Sequence, residues 1–531
     1  MLFEQAGLPE GNGNGKERHM KLLAAVAVAV LLGAFAVLAW DPFGWWPIAL
    51  LSYASLFWLV SNSRTVRQAG ITGLAFGMGL HLFGSGWVFG ALHSKAGMGL
   101  IPAVLSTAIF VVYLALFTAI PCFLWHVLFK RDKARAPLTR DSTFSWLAAT
   151  VAFAALLTLV EWSRGLFFNG FTSLALGYSL IDTWLAGYVP VLGLYGLSWI
   201  GLCISGMLVV LISGDRKVKV ASLIVLLALA GTGLALNQLV WTQPFGAPLR
   251  YRLIQSNIAQ EHKFNPLYMR QQTQRLVDMI ERQPADLIVT PETAFPMFLN
   301  ELPEDILSGL QQFSQRTGSH VFLGIATIAA DSDGYNSLIH IAPDQSGIAR
   351  YNKIRLMPFG EYTPAGFGWF TDSLSIPLKD MSSGAVDQEP FTLGTQRIGT
   401  LICHEDLTGQ EVRRWLPTAS LLLNPSNLAW FERSLAIGQR LQIVRMRALE
   451  SGRPILRVAN TGITAAIDAR GRVLARLPAA EEGILSGVVQ PVQGQTPYAR
   501  WGDGPVILAG AIWVSIAGYI LRKRKIHKQG S

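Results

Sequence analysis

Charge is scarce in this chain: Asp, Glu, Lys and Arg make up 15% of its 531 residues, while apolar types make up 51%. A soluble globular protein carries roughly a quarter charged residues, and disordered chains carry few apolar ones, so neither class describes the whole molecule. Cysteine is scarcer still, at three residues, too few for a disulfide framework or a four-thiolate zinc site. The nine histidines show no HExxH spacing and there is no CxxC pair, so the usual metal motifs are missing. No glycine-rich phosphate loop joins a strand to a helix, and no repeat of fixed period runs through the sequence.

What the chain does have is long apolar runs. Crossing a hydrocarbon core of about 30 Å takes roughly 20 apolar residues in a helix. Eight candidate spans lie near 22–40, 43–60, 69–92, 100–128, 144–163, 185–213, 220–240 and 505–521. Between Arg250 and Arg500 there are 24 basic and 24 acidic residues, which leaves 20 basic and 10 acidic elsewhere and places the whole net charge of +10 there. That excess sits in short clusters beside apolar runs, which is a membrane pattern and not a nucleic-acid one. With the N-terminus on the cytoplasmic side, Lys16, Arg18, Lys21, Arg64, Arg67, the basic residues of 130–140, Arg216, Lys217, Lys219 and those of 522–528 all fall inside. That is 18 of the 20, leaving Lys95 and Arg164 for the outer side. The positive-inside rule then puts both termini in the cytoplasm and the neutral block outside. Four segments follow: a disordered or cytoplasmic start over 1–21, seven membrane helices over 22–247, an outward domain over 248–500, and a last span with a basic tail over 501–531. The run Asp41-Pro42 after the first span leads straight into a second, which argues against a cleaved signal peptide.

Glu161 and Arg164 stand one helical turn apart at the outer boundary. The spacing fits either a structural ion pair fixing the helix end or a contact to a lipid headgroup or substrate. Trp40, Trp45, Trp46, Trp87 and Trp241 lie near span ends, as an aromatic belt requires.

In the outward block the texture becomes short Val/Ile/Leu runs alternating with amphipathic stretches. Strands are expected at 251–259, 286–292, 321–329, 397–406 and 420–427, with helices at 267–282, 303–317 and 434–451. ILRVANT, the hairpin ITAAIDARGRVLARL and GILSGVVQ close the series, giving an α/β sheet domain covered by helices.

Cys122 and Cys203 fall within spans, so Cys403 is the one thiol of the outward block. It is either a small core residue or one retained for reactivity. The strand GTLICHED stops abruptly in His404, Glu405 and Asp406, which a buried strand accepts only where its end opens into a polar site. LIVTPETAFP delivers Glu292 in the same manner, and YNKIRLMPFGEYTP offers Lys353 and Glu361 in a loop punctuated by Pro and Gly. A carboxylate, an ammonium and a thiol at sheet exits make a plausible set of base, oxyanion stabiliser and nucleophile. The bland alternatives are a helix cap for Glu292 and a solvated loop residue for Lys353. The loop 362–396, with TPAGFGWFTDSLSIP, combines Gly, Pro and aromatics, either a mobile gate dipping toward lipid or a static surface loop.

PETAFP, YNKIRLMPFGEYTP, TLICHED, NPSNLAWF and RMRALESGRPILRVANTGITAAI resemble the motifs of the nitrilase superfamily. Together with the spans and VEWSRGLFFNGFTSLALGYS, the chain from about 22 to 522 is similar to the apolipoprotein N-acyltransferase family. The resemblance implies a multi-pass helical membrane domain carrying an α-β-β-α sandwich. It implies a triad of Glu292 as general base, Lys353 as oxyanion-stabilising cation and Cys403 as nucleophile, with Glu361 and Glu405 as further active-site glutamates and Trp241 near substrate entry. In that family an acyl chain moves from a phospholipid, preferably the sn-1 chain of phosphatidylethanolamine, to the α-amino group of the S-diacylglyceryl cysteine of an apolipoprotein. This is the last step of lipoprotein maturation. The resemblance further implies a ping-pong path through a Cys403 thioester, no metal or nucleotide cofactor, and a bacterial inner membrane with the catalytic domain in the periplasm. The family commonly has Tyr after the nucleophile. Here the position is His404, whose imidazole is expected to titrate near neutral pH. The rival readings are a membrane-tethered nitrilase-type amidase or hydrolase, and a transporter or receptor whose outer domain only binds.

Overall fold

The computed structural model describes residues 13–129, 143–167, 170–328, 334–344, 346–371, 380–431 and 433–529. The first twelve residues, the basic loop 130–142 and the last two residues, all read from sequence above, lie outside these, as does 372–379 in the aromatic loop.

The membrane part consists of α1 (Gly13–Ala36), α2 (Trp46–Asn62), α3 (Val66–Ser85), α4 (Leu100–Phe129), α5 (Thr143–Arg164), α6 (Val189–Ser213) and α7 (Arg216–Asn237). Their starts follow local chemistry. Pro47 opens α2, the Thr65 hydroxyl accepts the Gln68 N–H at α3, and Asp215 accepts the Val218 N–H at α7. Five helices among the described residues are long and apolar enough to cross a membrane, or six if α3 and Val88–Lys95 count as one span bent by 52°. The bend falls at Gly86-Trp87, between the two helical pieces, and leads into a π-helical turn over Ala91–Lys95. The sequence run 69–92 is therefore broken. The count of eight is not reached by length and composition, because α2 has 17 residues and the described apolar part of the last helix ends at Tyr519. Ile101, Ile109, Ile212 and Leu227 lie exposed on the outer faces, the surface that lipid covers.

The sheet domain that follows contains β1 (Leu249–Gln255), β2 (Leu287–Val289), β3 (Phe295–Phe298), β4 (His320–Ile328), β5 (Gly334–Ile341), β6 (Ile348–Asn352), β7 (Phe391–Leu393), β8 (Gln396–Thr400), β9 (Leu421–Ser426), β10 (Ile455–Ala459), β11 (Ala465–Ile467), β12 (Val473–Arg476) and β13 (Gly483–Val489). One sheet runs β13-β1-β2-β4-β5-β6 with β3 paired to β4, and the other runs β12-β11-β10-β9-β8-β7. Their facing sides share one core, with Leu253, Val289 and Phe322 against Phe391, Leu421, Leu456 and Ala466. On the outer side of the first sheet lie α8 (Pro266–Glu281) and α9 (Glu304–Thr317), through Leu276, Ile280, Leu310 and Phe313. The second sheet is covered by α10 (Ala436–Ser451), through Leu441, Val444 and Ala448. The layers are thus helix, sheet, sheet, helix. A final helix, α11 (Gly504–Gln529), follows.

Most expected elements lie within a few residues of their observed limits. Strands β3, β5, β6 and β7 were not anticipated, since three of them are short or polar. The expected strand over 397–406 ends at Thr400, and Cys403–Leu407 forms a 3-10 turn.

The two parts are stitched together by polar contacts. The Thr172 hydroxyl donates to the Leu407 carbonyl at 2.8 Å, Gln439 to the Gly84 carbonyl at 3.0 Å, and the Leu194 N–H to Glu450 at 2.8 Å. Phe370 and Trp430 pack with Phe89 and Leu92 against Ala96, Met98 and Ala103. The beginning of the aromatic loop is therefore docked on the membrane part.

Candidate active site

Strand β2 ends at Val289 and the chain turns through Thr290 and Pro291 to present Glu292. A Cβ at Gly324 would come within 2.0 Å of the Pro291 carbonyl oxygen, so β4 passes beneath this turn only as glycine. Thr293 follows at φ 45, left-handed and costly for a β-branched residue. No helix begins here, which removes the helix-cap alternative for Glu292.

Lys353 leaves the end of β6, its N–H bonded to the Asn336 carbonyl at 2.8 Å. It is 1% exposed, which removes the solvated-loop alternative. Its Nζ lies 2.9 Å from Glu292 Oε1 and 2.8 Å from Glu361 Oε2. Asn336 Nδ2 donates to both carboxylates, at 2.8 Å and 2.6 Å, and the Asn427 N–H after β9 donates to Glu292 Oε2 at 2.8 Å. Glu361 is oriented in turn by the Met357 N–H at 2.8 Å. Burial alone drives the ammonium toward neutrality, but the carboxylates of Glu292 and Glu361 outweigh it and hold Lys353 charged, above the ordinary lysine range. Burial likewise opposes the Glu292 anion, yet the Lys353 ammonium and the Asn336 amide keep its carboxyl below its ordinary value.

Cys403 stands beyond parallel strand β8 at φ 52, another left-handed non-glycine residue. Its carbonyl accepts from Arg440 Nη2 at 2.9 Å and Asn424 Nδ2 at 3.2 Å. Asp406, fully buried, ties Arg440 at 2.5 Å to Arg457 at 3.3 Å beneath the turn. Such a tight turn at a strand exit aims a nucleophile outward from a sheet. Burial, and then the Glu292 charge, pushes the thiol up to about 12, with Lys353 opposing. The resting pair is therefore a thiol and a carboxylate, and attack requires the base.

Glu405 accepts the N–H groups of Ile354 at 2.8 Å, Arg355 at 3.1 Å and Ile402 at 2.6 Å, and the Tyr351 hydroxyl at 3.0 Å. It therefore fastens the Lys353 loop to the Cys403 turn. Burial raises its carboxyl to about 7. His404 is buried, and burial followed by the charges of Lys353, Arg440 and Arg355 pushes it well below the usual histidine value. This corrects the expectation from sequence: His404 stays neutral through physiological pH instead of titrating there.

Trp241 is not brought to this cluster. It lines a separate cavity of about 370 Å³ with Leu236, Pro454, Asp468, Arg470 and Gln490, and none of Glu292, Lys353 and Cys403 lines it. Glu161 and Arg164 do not form the ion pair that their spacing fits: among the described residues no ion pair joins them. Instead Arg164, buried, donates to the carbonyls of Thr172 at 3.3 Å and Ser173 at 3.0 Å, and Glu161 accepts the Leu176 N–H at 3.4 Å. Together they hold the loop that carries Thr172 to Leu407. Sequence reasoning missed Lys263, Asn336, Asn427 and the arginines under Cys403. Asn427 and Arg457 fall inside the motifs NPSNLAWF and RMRALESGRPILRVANTGITAAI without being singled out there.

Helices of this length under a two-sheet sandwich, with thiol, ammonium and carboxylate meeting where the strands end, define a membrane-borne protein with a nitrilase-type domain. The carbon-nitrogen hydrolase family matches residues 251–498, and the apolipoprotein N-acyltransferase N-terminal domain matches 32–207. Apolipoprotein N-acyltransferase of Ralstonia nicotianae is 37% identical over 508 residues, covering 95% of both chains. That of Nitrosomonas europaea is 38% identical over 507 residues, covering 93% of this chain and 97% of its own. The chain belongs to the apolipoprotein N-acyltransferase family.

Proposed function

We propose that this protein moves an acyl chain from a phospholipid, phosphatidylethanolamine in the first instance, to the α-amino group of a diacylglyceryl cysteine at the N-terminus of an apolipoprotein. Cys403 Sγ attacks the ester carbonyl carbon while Glu292 takes the thiol proton, and Lys353 faces the oxyanion. Collapse breaks the ester C–O bond, Glu292 returns the proton to the leaving alkoxide, and lysophospholipid departs from a thioester. The lipoprotein amine, deprotonated by Glu292, then attacks that thioester, so that an amide forms and the thiol is restored. Glu361 and Glu405 hold Lys353 and the Cys403 turn in register, and His404 packs as a neutral ring beside them. Trp241 is assigned no step.

The observation that carries this reading is the Lys353 ammonium clamped between two carboxylates, 2.9 Å from Glu292, beside a thiol in a strained turn. The membrane setting is consistent with the chemistry. Each acyl CH₂ taken from lipid costs about 0.8 kcal/mol, so a thiol at the bilayer edge avoids extracting the donor. In this reading eight segments cross a bacterial inner membrane, seven within 22–247 and one within 501–531. Residues 248–500 form the periplasmic catalytic domain, and both termini are cytoplasmic. The loop 362–396 gates the lipid donor; unchanged turnover after crosslinking it shut would contradict that role.

The test uses the purified protein in phosphatidylethanolamine vesicles with a synthetic diacylglyceryl lipopeptide. The peptide is expected to gain the mass of one acyl chain, with equimolar lysophospholipid released. Release of free fatty acid without any need of the amine would instead mark a hydrolase.

A further inference from the structure

The proposed mechanism leaves one buried cation behind the Glu292 turn unused. Lys263, the last residue of the one-turn helix Gln260–Lys263, is 1% exposed. Its Nζ donates to the Glu292 carbonyl at 3.2 Å and to Thr293 Oγ1 at 2.7 Å. Among the described ion pairs it has no carboxylate partner, whereas Lys353 is shared by two. A buried ammonium bound only to neutral oxygens is expensive to keep, and such groups are retained chiefly where their charge is used. Its two bonds also fall on the left-handed Glu292–Thr293 turn, whose conformation aims the carboxylate at Lys353 and Asn427.

The charges around Cys403 show what such a cation supplies. Asp406 is matched by Arg440 and Arg457, and the neutral His404 adds nothing. Glu292, Glu361 and Glu405 face Lys353. When the thiol gives up its proton a further negative charge enters this group; Lys353 and Arg440 face it, and Lys263, which has no carboxylate partner of its own, adds an ammonium behind Glu292. Burial holds Lys263 down to about 8, with Glu292 and Cys403 pulling the other way, so the field of the sulfur reaches it. We propose that Lys263 is a positioning residue of the catalytic centre, holding the Glu292 turn from behind and adding the positive charge that the Cys403 sulfur needs on ionising. This inference rests on the proposed roles of Glu292 and Cys403.

The test reads Cys403 directly, without acyl transfer. Alkylation by iodoacetamide is followed by peptide mass spectrometry of the full-length protein in vesicles between about pH 7 and pH 10, where the rate tracks the thiolate fraction. Lys263→Gln keeps a donor and removes the charge. It is expected to slow alkylation roughly tenfold near pH 7, equivalent to one unit in the thiol titration, with the difference shrinking above about pH 8 as Lys263 itself loses its proton, and to lower kcat near pH 7 by a similar factor with KM within about twofold. Lys263→Arg restores most of the alkylation rate. Unchanged alkylation in a folded Lys263→Gln protein overturns the proposal even if transfer falls, since that marks a purely structural lysine. Should Lys263→Gln fail to fold, Lys263→Arg decides alone, and a tenfold loss of alkylation there contradicts the role of charge. Normal dependence on Lys263 without acyl transfer would instead count against the proposed function.

Discussion

Two buried charge clusters sit in the sandwich domain, with only Glu361 partly exposed, and they are built in opposite ways. At the strand exits, Glu292, Lys353 and Glu361 surround the turn of Cys403, flanked by two left-handed non-glycine residues, Thr293 and Cys403. At the membrane junction, Arg447 and Glu450 pair at 3.0 Å within helix α10. There Glu450 accepts the Leu194 N–H exposed by a kink in α6 at Gly193, whose φ is 67 and whose Cβ position lies 2.2 Å from the Tyr498 ring. The second cluster has ordinary helical backbone at both charges and joins two parts of the molecule. The first is strained and encloses a thiol. Burial of charge is common to both, so it does not mark chemistry. What separates them is the stored strain and a nucleophile inside the field.

The comparison breaks if lesions in the two clusters have the same consequence. Cys403→Ala is expected to lower acyl transfer on the order of 10³-fold or more, with Glu292→Gln close behind, while thermal unfolding stays within a few degrees. Arg447→Met does the reverse. Leaving Glu450 buried without its cation costs about 3–5 kcal/mol, seen as a lower Tm in nanodiscs, while the folded fraction retains its rate per molecule.

The junction cluster also predicts a pH dependence. Burial, with Asp503 adding and Arg447 opposing, raises the Glu450 carboxyl to about 7. The folded state therefore binds more protons than the unfolded one between the ordinary carboxyl value and about 7. The contribution of Glu450 is fully present below that window and is lost as pH rises through about 7. Glu450→Gln should flatten this part of the Tm profile, and an unchanged slope would remove Glu450 as its source. The smallest effect falls on the link between the membrane part and the nucleophile turn. Thr172→Val removes the bond to the Leu407 carbonyl, worth about 1 kcal/mol, and should slow transfer severalfold, with Thr172→Ser restoring it.

How much of this was legible in the sequence follows the same division. Glu292 and Cys403 were visible because each stands where an apolar run gives way to polar residues, and Lys353 because it lies in a loop punctuated by Pro and Gly, local signals that need no tertiary contact. The sandwich was visible from alternating strand and helix periods. Asn427, Arg440 and Lys263 were not, because each reaches the site across a long stretch of chain. The strain at Cys403 was hidden too, since the apolar run into the turn reads as continuous strand. The cavity that Trp241 lines was hidden as well, because position at a span end says nothing about which cavity a side chain meets. Glu161 and Arg164 had the spacing of a pair, but the loop beside them offered backbone carbonyls and an N–H.

The central claim, that Cys403 carries the acyl chain, is tested most directly by incubating the protein with a phospholipid of defined chains and examining the Cys403 peptide by mass spectrometry. The account predicts a hydroxylamine-labile acyl adduct on that sulfur, absent in Cys403→Ala, much reduced in Glu292→Gln, and discharged when the lipopeptide amine is added. Transfer proceeding at full rate in Cys403→Ala, or an adduct on another residue, would contradict it.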